Sequence, residues 1–233
     1  IVAVGDGSLV SMEALVRWPH PEEGMISPAE FIPIAESTGL ILPLGDYILR
    51  TVCAQVREWK DKGLNGFRVA VNFSARQFDT DIVALVKEVI EDTGITPETL
   101  ALEVTEGLAM KNLDRNAQIL EELKSYGVNI SMDDFGTGYS SLSYLKRLPL
   151  TTLKIDRSFI CDIHENEGDQ EITRAIIAMG KSLNLATLAE GVENERQVEI
   201  LKDYGCDYIQ GYFYSRPLPA VEMTKYLESS ICR

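Results

Sequence analysis

Seven short apolar runs of this sequence carry a charged or amide side chain within them or at their end. The residues are Glu13 with Arg17, Asn72, Glu103 with Glu106, Asp133 with Asp134, Lys154 with Asp156, Glu190, and Gln210. Any one of them reads most simply as a strand-end cap or a surface side chain. Seven in succession are harder to dismiss, because a buried ionisable group is costly unless it is paired or bound to a cation. The set is rich in oxygen donors and includes an amide and a lysine, but no cysteine or histidine. That selects hard cations such as Mg²⁺ or Mn²⁺ over zinc or copper. The whole sequence has only two histidines, His20 and His164, which weighs against histidine-based triads.

The stretch Ser131-Met132-Asp133-Asp134-Phe135-Gly136-Thr137-Gly138-Tyr139-Ser140-Ser141 is the one around which the rest of the chain is organised. The run from Val128 to Asp133 alternates apolar and polar residues and predicts a buried strand. Successive side chains on a strand point to opposite faces. Asp133 and Asp134 are therefore expected to diverge around one point where the strand ends and the chain turns. Held that close, the two carboxylates need a proton or a cation between them. With Asp133 bridging, the pair suits a two-metal centre, its ions about 3.5–4 Å apart, acting on a phosphoester. Lys154 faces opposed influences, since burial lowers an ammonium pKa and nearby carboxylates raise it. With so many carboxylates, the expectation is a charged donor that cannot act as a general base.

Bulk properties narrow the field. The 233 residues suit one large domain, 1–233, and the 45% apolar content supplies a substantial core. A net charge of −14 argues against binding a nucleic-acid polymer, and means that a phosphate substrate has to be met through metal cations. No run approaches a membrane span and no signal peptide opens the chain, so no membrane contact by this domain is expected. Cys53, Cys161, Cys206 and Cys232 lack paired spacing and read as free thiols in a reducing compartment, most simply the cytoplasm.

The elements that must position these groups alternate. Strands are predicted at Val10–Trp18, Phe67–Asn72, Leu100–Thr105, Val128–Asp133, Thr152–Ile155, Leu185–Glu190 and Tyr208–Gln210. Helices are predicted after Ser27, with a Ser27/Glu30 capping box, then at about Leu44–Lys60, Asp81–Thr93, Leu113–Tyr126, Leu142–Arg147, Gln170–Leu183, Glu195–Tyr204 and Ala220–Glu228. An apolar scrap, Ile1–Val4, counts as part of an eighth strand. The alternation predicts a (β/α)8 TIM-type barrel, whose sites lie at the C-terminal strand ends. A doubly wound sheet would bring a Gly-rich phosphate turn after its first strand, and none follows Val10–Trp18.

The motifs Glu13-Ala14-Leu15, Val71-Asn72-Phe73-Ser74, Glu103-Val104-Thr105-Glu106, Asp133 to Ser141, Leu153-Lys154-Ile155-Asp156, Ala189 to Glu193 and Gln210-Gly211-Tyr212 together resemble the EAL-domain phosphodiesterases. The resemblance implies hydrolysis of cyclic di-GMP to linear pGpG with two Mg²⁺ or Mn²⁺ ions, Ca²⁺ being inhibitory. A degenerate domain that binds cyclic di-GMP as a receptor without cutting it is the alternative, and such receptors usually lack metal ligands that this chain has. By the resemblance, Glu13, Asn72, Glu103, Asp133 and Asp134 are metal ligands, and Glu190 is a further ligand or the base. Lys154 holds the attacking water, and Arg17 contacts phosphate. Leu15, Asp156 and Gln210 line the dinucleotide site, while Glu106 anchors the Asp-Asp-Phe-Gly loop. The resemblance also implies a homodimer and a fused sensory or GGDEF domain. It has the family's opening helix and most of its first strand absent, with Ile1-Val2 matching the strand's end. Val104, where leucine is usual, and Gly107 remove no functional group.

Overall fold

In a computed structural model, residues 1–138 and 142–231 are described. Tyr139, Ser140 and Ser141 of the central motif, and Cys232, lie outside them. The strands are β1 (Val2–Ala3), β2 (Ser11–Ala14), β3 (Trp18–His20), β4 (Gly24–Ile26), β5 (Arg68–Asn72), β6 (Leu100–Thr105), β7 (Asn129–Phe135), β8 (Thr152–Ile155), β9 (Ala186–Ala189) and β10 (Tyr208–Ile209). The helices are α1 (Pro28–Thr38), α2 (Ile41–Asp61), α3 (Ile82–Thr93), α4 (Glu106–Met110), α5 (Leu113–Ser125), α6 (Leu142–Leu145), α7 (Glu167–Ser182), α8 (Glu195–Tyr204) and α9 (Ala220–Ile231).

Eight strands form one sheet in the order β1-β10-β9-β8-β7-β6-β5-β2. All neighbours are parallel except β1, which runs antiparallel to β10. The sheet nearly closes where Val10 N–H donates to Ile1 O and Val2 bridges Leu9. This is the α/β barrel expected from the alternation, with one strand reversed. Core residues of the strands, among them Val71, Leu102, Ile130, Leu153 and Leu188, are almost fully buried, as are inward residues of the covering helices such as Leu49, Val86, Leu120 and Ile177.

Local chemistry explains most boundaries. Asp81 accepts from Ala84 N–H to start α3, and Gly94, at φ 65°, ends it. At α1, Ser27 accepts from Ala29 N–H, so the expected capping box with Glu30 does not form. A full capping box occurs instead at α8, between Asn194 and Gln197. Helix α2 starts three residues before Leu44, because Pro43 fits a first turn that has no N–H partners to lose. The predicted strand Val10–Trp18 is divided: β2 leaves the barrel after Ala14, and Trp18–His20 pairs with β4 in a separate hairpin.

Candidate functional site

The polar residues do converge. Asn72 closes β5 and pairs in register with Glu103 of β6, while Lys154 sits in β8 next to Leu188 of β9. Glu190 follows β9 directly and Gln210 follows β10, which brings all of these groups to the C-terminal end of the barrel. Glu13, on β2, is held from both sides. Asn72 Nδ2 donates to its Oε1 and Gln210 Nε2 to its Oε2, each at 2.7 Å.

The aspartate pair is arranged differently from the expectation. Strand β7 does not end at Asp133 but runs on to Phe135, with a register shift: Met132 pairs with Leu153 and Phe135 with Ile155. One extra residue stands between those pairs, which makes a β-bulge. Asp134 takes the left-handed conformation, φ 53°, which a short polar side chain tolerates better than most. The bulge, and not a strand-end turn, cancels the alternation and lets neighbouring carboxylates aim at one region. Oxygens of Asp133, Asp134 and Glu190 lie within 4.8 Å of one another and could hold a cation.

Lys154 lies at the centre of the acidic residues and is 1% exposed. Its Nζ lies 2.7 Å from Glu103 Oε2, 2.8 Å from Asp133 Oδ1, 2.8 Å from Glu190 Oε1 and 4.0 Å from Glu13 Oε2. The Asp133 contact is an ion pair without hydrogen-bond alignment, so Oδ1 is a buried acceptor with no hydrogen bond. Burial pushes the ammonium down, but Glu103, Glu190, Glu13 and Asp133 together hold it well above its ordinary range. It is the charged donor expected from the sequence. The carboxyls move the other way. Burial raises Glu103 to about 8 despite Lys154, with Glu13 and Asp133 adding to the shift. Burial likewise raises Glu190 to about 7 against the pull of Lys154, and Asp133 reinforces it. Asp134 is raised by burial, then by Asp133 and Asp156.

With Glu13, Glu103, Asp133, Asp134 and Glu190 all ionised, one ammonium cannot balance them, and without a cation protons take up part of the excess. An all-oxygen donor set, an excess of negative charge and a buried carboxylate oxygen without a hydrogen bond fit a hard divalent cation. Glu106 opens α4, is 5% exposed, and lays its carboxylate against the loop. A Cβ added to Gly138 would lie 2.6 Å from Glu106 Oε1.

Above this layer opens a cleft of about 960 Å³, lined by Glu13, Leu15, Arg17, Asp133, Glu190 and Gln210. Arg17 is exposed and donates to its neighbour Val16 O, leaving most of its guanidinium available to the cleft. Asp156 is used locally, accepting from Ser158 N–H at the start of a 3₁₀ turn. Among the further residues that line the cleft, Arg157 and Glu193 form an ion pair at 3.0 Å on the rim, and the sequence motifs assign neither a role. Their signal was adjacency, Arg157 following Asp156 and Glu193 standing three residues after Glu190. Burial pushes the thiols of Cys53 and Cys206 up to about 12 and about 11, which removes them from nucleophilic chemistry.

A mostly parallel barrel with an acidic centre and a buried ammonium at the C-terminal strand ends defines an α/β-barrel protein with an oxygen-donor site that could hold a hard cation. The EAL domain family model matches residues 1–217, and the chain belongs to that family. It is 47% identical over 223 residues to the bifunctional diguanylate cyclase/cyclic di-GMP phosphodiesterase MucR of Pseudomonas aeruginosa, covering 95% of this chain and 33% of that protein. It is 45% identical over 230 residues to the cyclic di-GMP phosphodiesterase NbdA of the same organism, covering 98% and 29%. The chain thus spans about a third of the length of these curated relatives. A solved structure described as PaMucR phosphodiesterase in complex with c-di-GMP superposes with a TM-score of 0.92 at 47% identity, covering 95% of this chain and 90% of that one. Among the described residues no helix is long and apolar enough to cross a membrane.

Proposed function

We propose that this chain hydrolyses cyclic di-GMP to linear pGpG. The observation that carries the reading is the charged Lys154, buried among Glu103, Asp133 and Glu190 under a cleft of dinucleotide size, in a chain of the EAL family. The residues that would hold two Mg²⁺ or Mn²⁺ ions are Glu13, Asn72, Glu103, Asp133, Asp134 and Glu190. Such ions would supply Lewis-acid stabilisation of phosphoryl oxygens and a lowered pKa for an attacking water.

The chain's own groups account for the rest. Arg17, on the exposed side of the cleft, meets a phosphate oxygen, and Leu15 and Gln210 pack against the dinucleotide. Lys154 donates to the attacking water, orients it towards phosphorus and offsets charge that builds in the transition state. Glu190, 2.8 Å from Lys154, is a further metal ligand or the base that accepts the proton the water loses. The new P–O bond forms from that water, and the departing ribose oxygen takes up a proton. Glu106 keeps the loop from Asp134 to Gly138 in place through its contact with Gly138. All six donor residues are present, which favours turnover over binding alone. Included in the reading are a homodimer and a fused upstream domain, the latter consistent with relatives about three times as long.

The test is nucleotide analysis after incubating the purified protein with cyclic di-GMP and Mg²⁺. Accumulation of pGpG supports the reading. Binding without any product in either Mg²⁺ or Mn²⁺ overturns it in favour of a receptor.

A further inference from the structure

The loops that follow β8 and β9 form one wall of the cleft, and a single buried amide joins them. Gln197, on the first turn of α8, is 1% exposed. Its Oε1 accepts from Glu193 N–H at 2.7 Å and from Asn194 N–H at 3.1 Å. Its Nε2 donates to Ile160 O at 3.0 Å and to Cys161 O at 2.9 Å. A helix cap needs only the first pair. The second pair crosses to another loop, 36 and 37 residues away along the chain.

What these bonds fix can be followed outward. The loop after β8 carries Arg157, whose carbonyl accepts from Ile160 and Cys161 N–H. The loop after β9 carries Glu193, which pairs with Arg157 at 3.0 Å. Gly191, at φ 71°, lies so close under Arg157 that a Cβ there would come within 2.3 Å of its Cγ. The β9 loop is bonded in turn to the β10 loop, through Val192 N–H to Gln210 O and Phe213 N–H to Val192 O. Glu190 has separate supports, Lys154 at 2.8 Å and its own N–H bonded to Ile155 O. The exposed pair on the rim is carried by the two backbones that Gln197 ties together, with Gly191 packed under Arg157 and Val192 bonded to the β10 loop.

We infer that Gln197 is a positioning residue which sets the Arg157–Glu193 rim of the substrate cleft by tying the β8 loop to the β9 loop. The inference rests on the cyclic di-GMP reading above and adds a residue that touches neither substrate nor metal. Loss of the tie therefore weakens substrate capture and leaves the chemical centre in place.

The experiment compares Gln197→Met and Gln197→Glu with wild type, measuring KM and kcat in saturating Mg²⁺ well below each melting temperature. Glutamate keeps the acceptor for Glu193 and Asn194 but, ionised, cannot donate to Ile160 and Cys161. Both variants are expected to raise KM about tenfold, on the order of one lost hydrogen-bonded constraint, with kcat within a few-fold. In an Arg157→Ala background, Gln197→Met is expected to raise KM little further, since both changes disable the same rim. A core variant matched in melting loss, Leu120→Val, is expected to leave KM unchanged. The inference is overturned if kcat falls while KM holds, if the Gln197 and Arg157 effects multiply, or if Leu120→Val reproduces the KM change. Failure of wild type to turn over cyclic di-GMP would bring down the parent reading, a result these variants do not imitate.

Discussion

Lys154 separates an ordinary strand lysine from a working one by its surroundings. A solvated lysine at a strand end costs little to remove. This one is 1% exposed and meets three carboxylates within 2.8 Å, so its loss strands negative charge in the interior. Breaking such a buried pair typically costs about 3–5 kcal/mol. Lys154→Met is therefore expected to lower the melting temperature in chelator, with most of the loss recovered in Mg²⁺, whose charge can substitute. Turnover is expected to fall by around two to four orders of magnitude even in Mg²⁺, the usual scale for a positioned donor. Calorimetric affinity for cyclic di-GMP in Ca²⁺, which is larger and tolerates looser geometry, is expected to stay near normal. A Lys154 variant that keeps its rate within a few-fold makes the residue scaffolding. Comparable wild-type turnover in Ca²⁺ and Mg²⁺ would remove the hard-cation argument.

At the scale of elements, the bulge in β7 and the packing of α4 against the loop beyond it decide where the aspartates point. Glu106→Ala removes the carboxylate that lies on Gly138, and is expected to lower turnover by tenfold or more with a small change in melting temperature. Gly138→Ala tests the same contact from the other side, because its new Cβ would meet Glu106 Oε1 at 2.6 Å. Unchanged rates in both variants would make Glu106 a packed residue without influence on the site. This is also where the sequence stopped being legible. Apolar runs and Gly stops located nearly every barrel strand, because burial and helix ends are local chemistry. The Thr152–Ile155 strand and the Glu195–Tyr204 helix agree to the residue. The bulge was hidden because a one-residue shift depends on how β7 pairs with β8, not on β7 alone. The reversed β1 is hidden for the same reason, and so is the Gln197 bridge, whose partners are backbone carbonyls that carry no residue identity. Convergence of Glu13, Asn72 and Gln210 was foreseeable from strand ends, but their mutual hydrogen bonds were not.

For the molecule as a whole, the acidic centre links folding to protons and to metal. The carboxyls of Glu103 and Glu190 ordinarily titrate near 4.5, and burial in the folded chain raises them to about 8 and about 7. The folded state thus binds more protons than the unfolded one between those limits, and stability falls as pH rises wherever that holds. Their contribution is complete below 4.5 and is lost as pH climbs through 7 and 8. Lys154 is also raised, but its ordinary value of 10.5 puts its influence above this window. Chelator-treated protein is therefore expected to melt at progressively lower temperature from pH 5 to pH 8.5. A divalent cation held by the deprotonated carboxylates of the folded chain would stabilise it most where protons have left. With Mg²⁺ in excess the decline is expected to flatten, and the gain from Mg²⁺ to be larger at pH 8.5 than at pH 5.5. Glu103→Gln, which cannot ionise, is expected to remove part of the slope in chelator. Melting curves across that range, with and without Mg²⁺, decide the matter. A chelator profile that is flat or rising above pH 6 would mean that the carboxylates around Lys154 are already ionised without metal, their charge met by the ammonium and water.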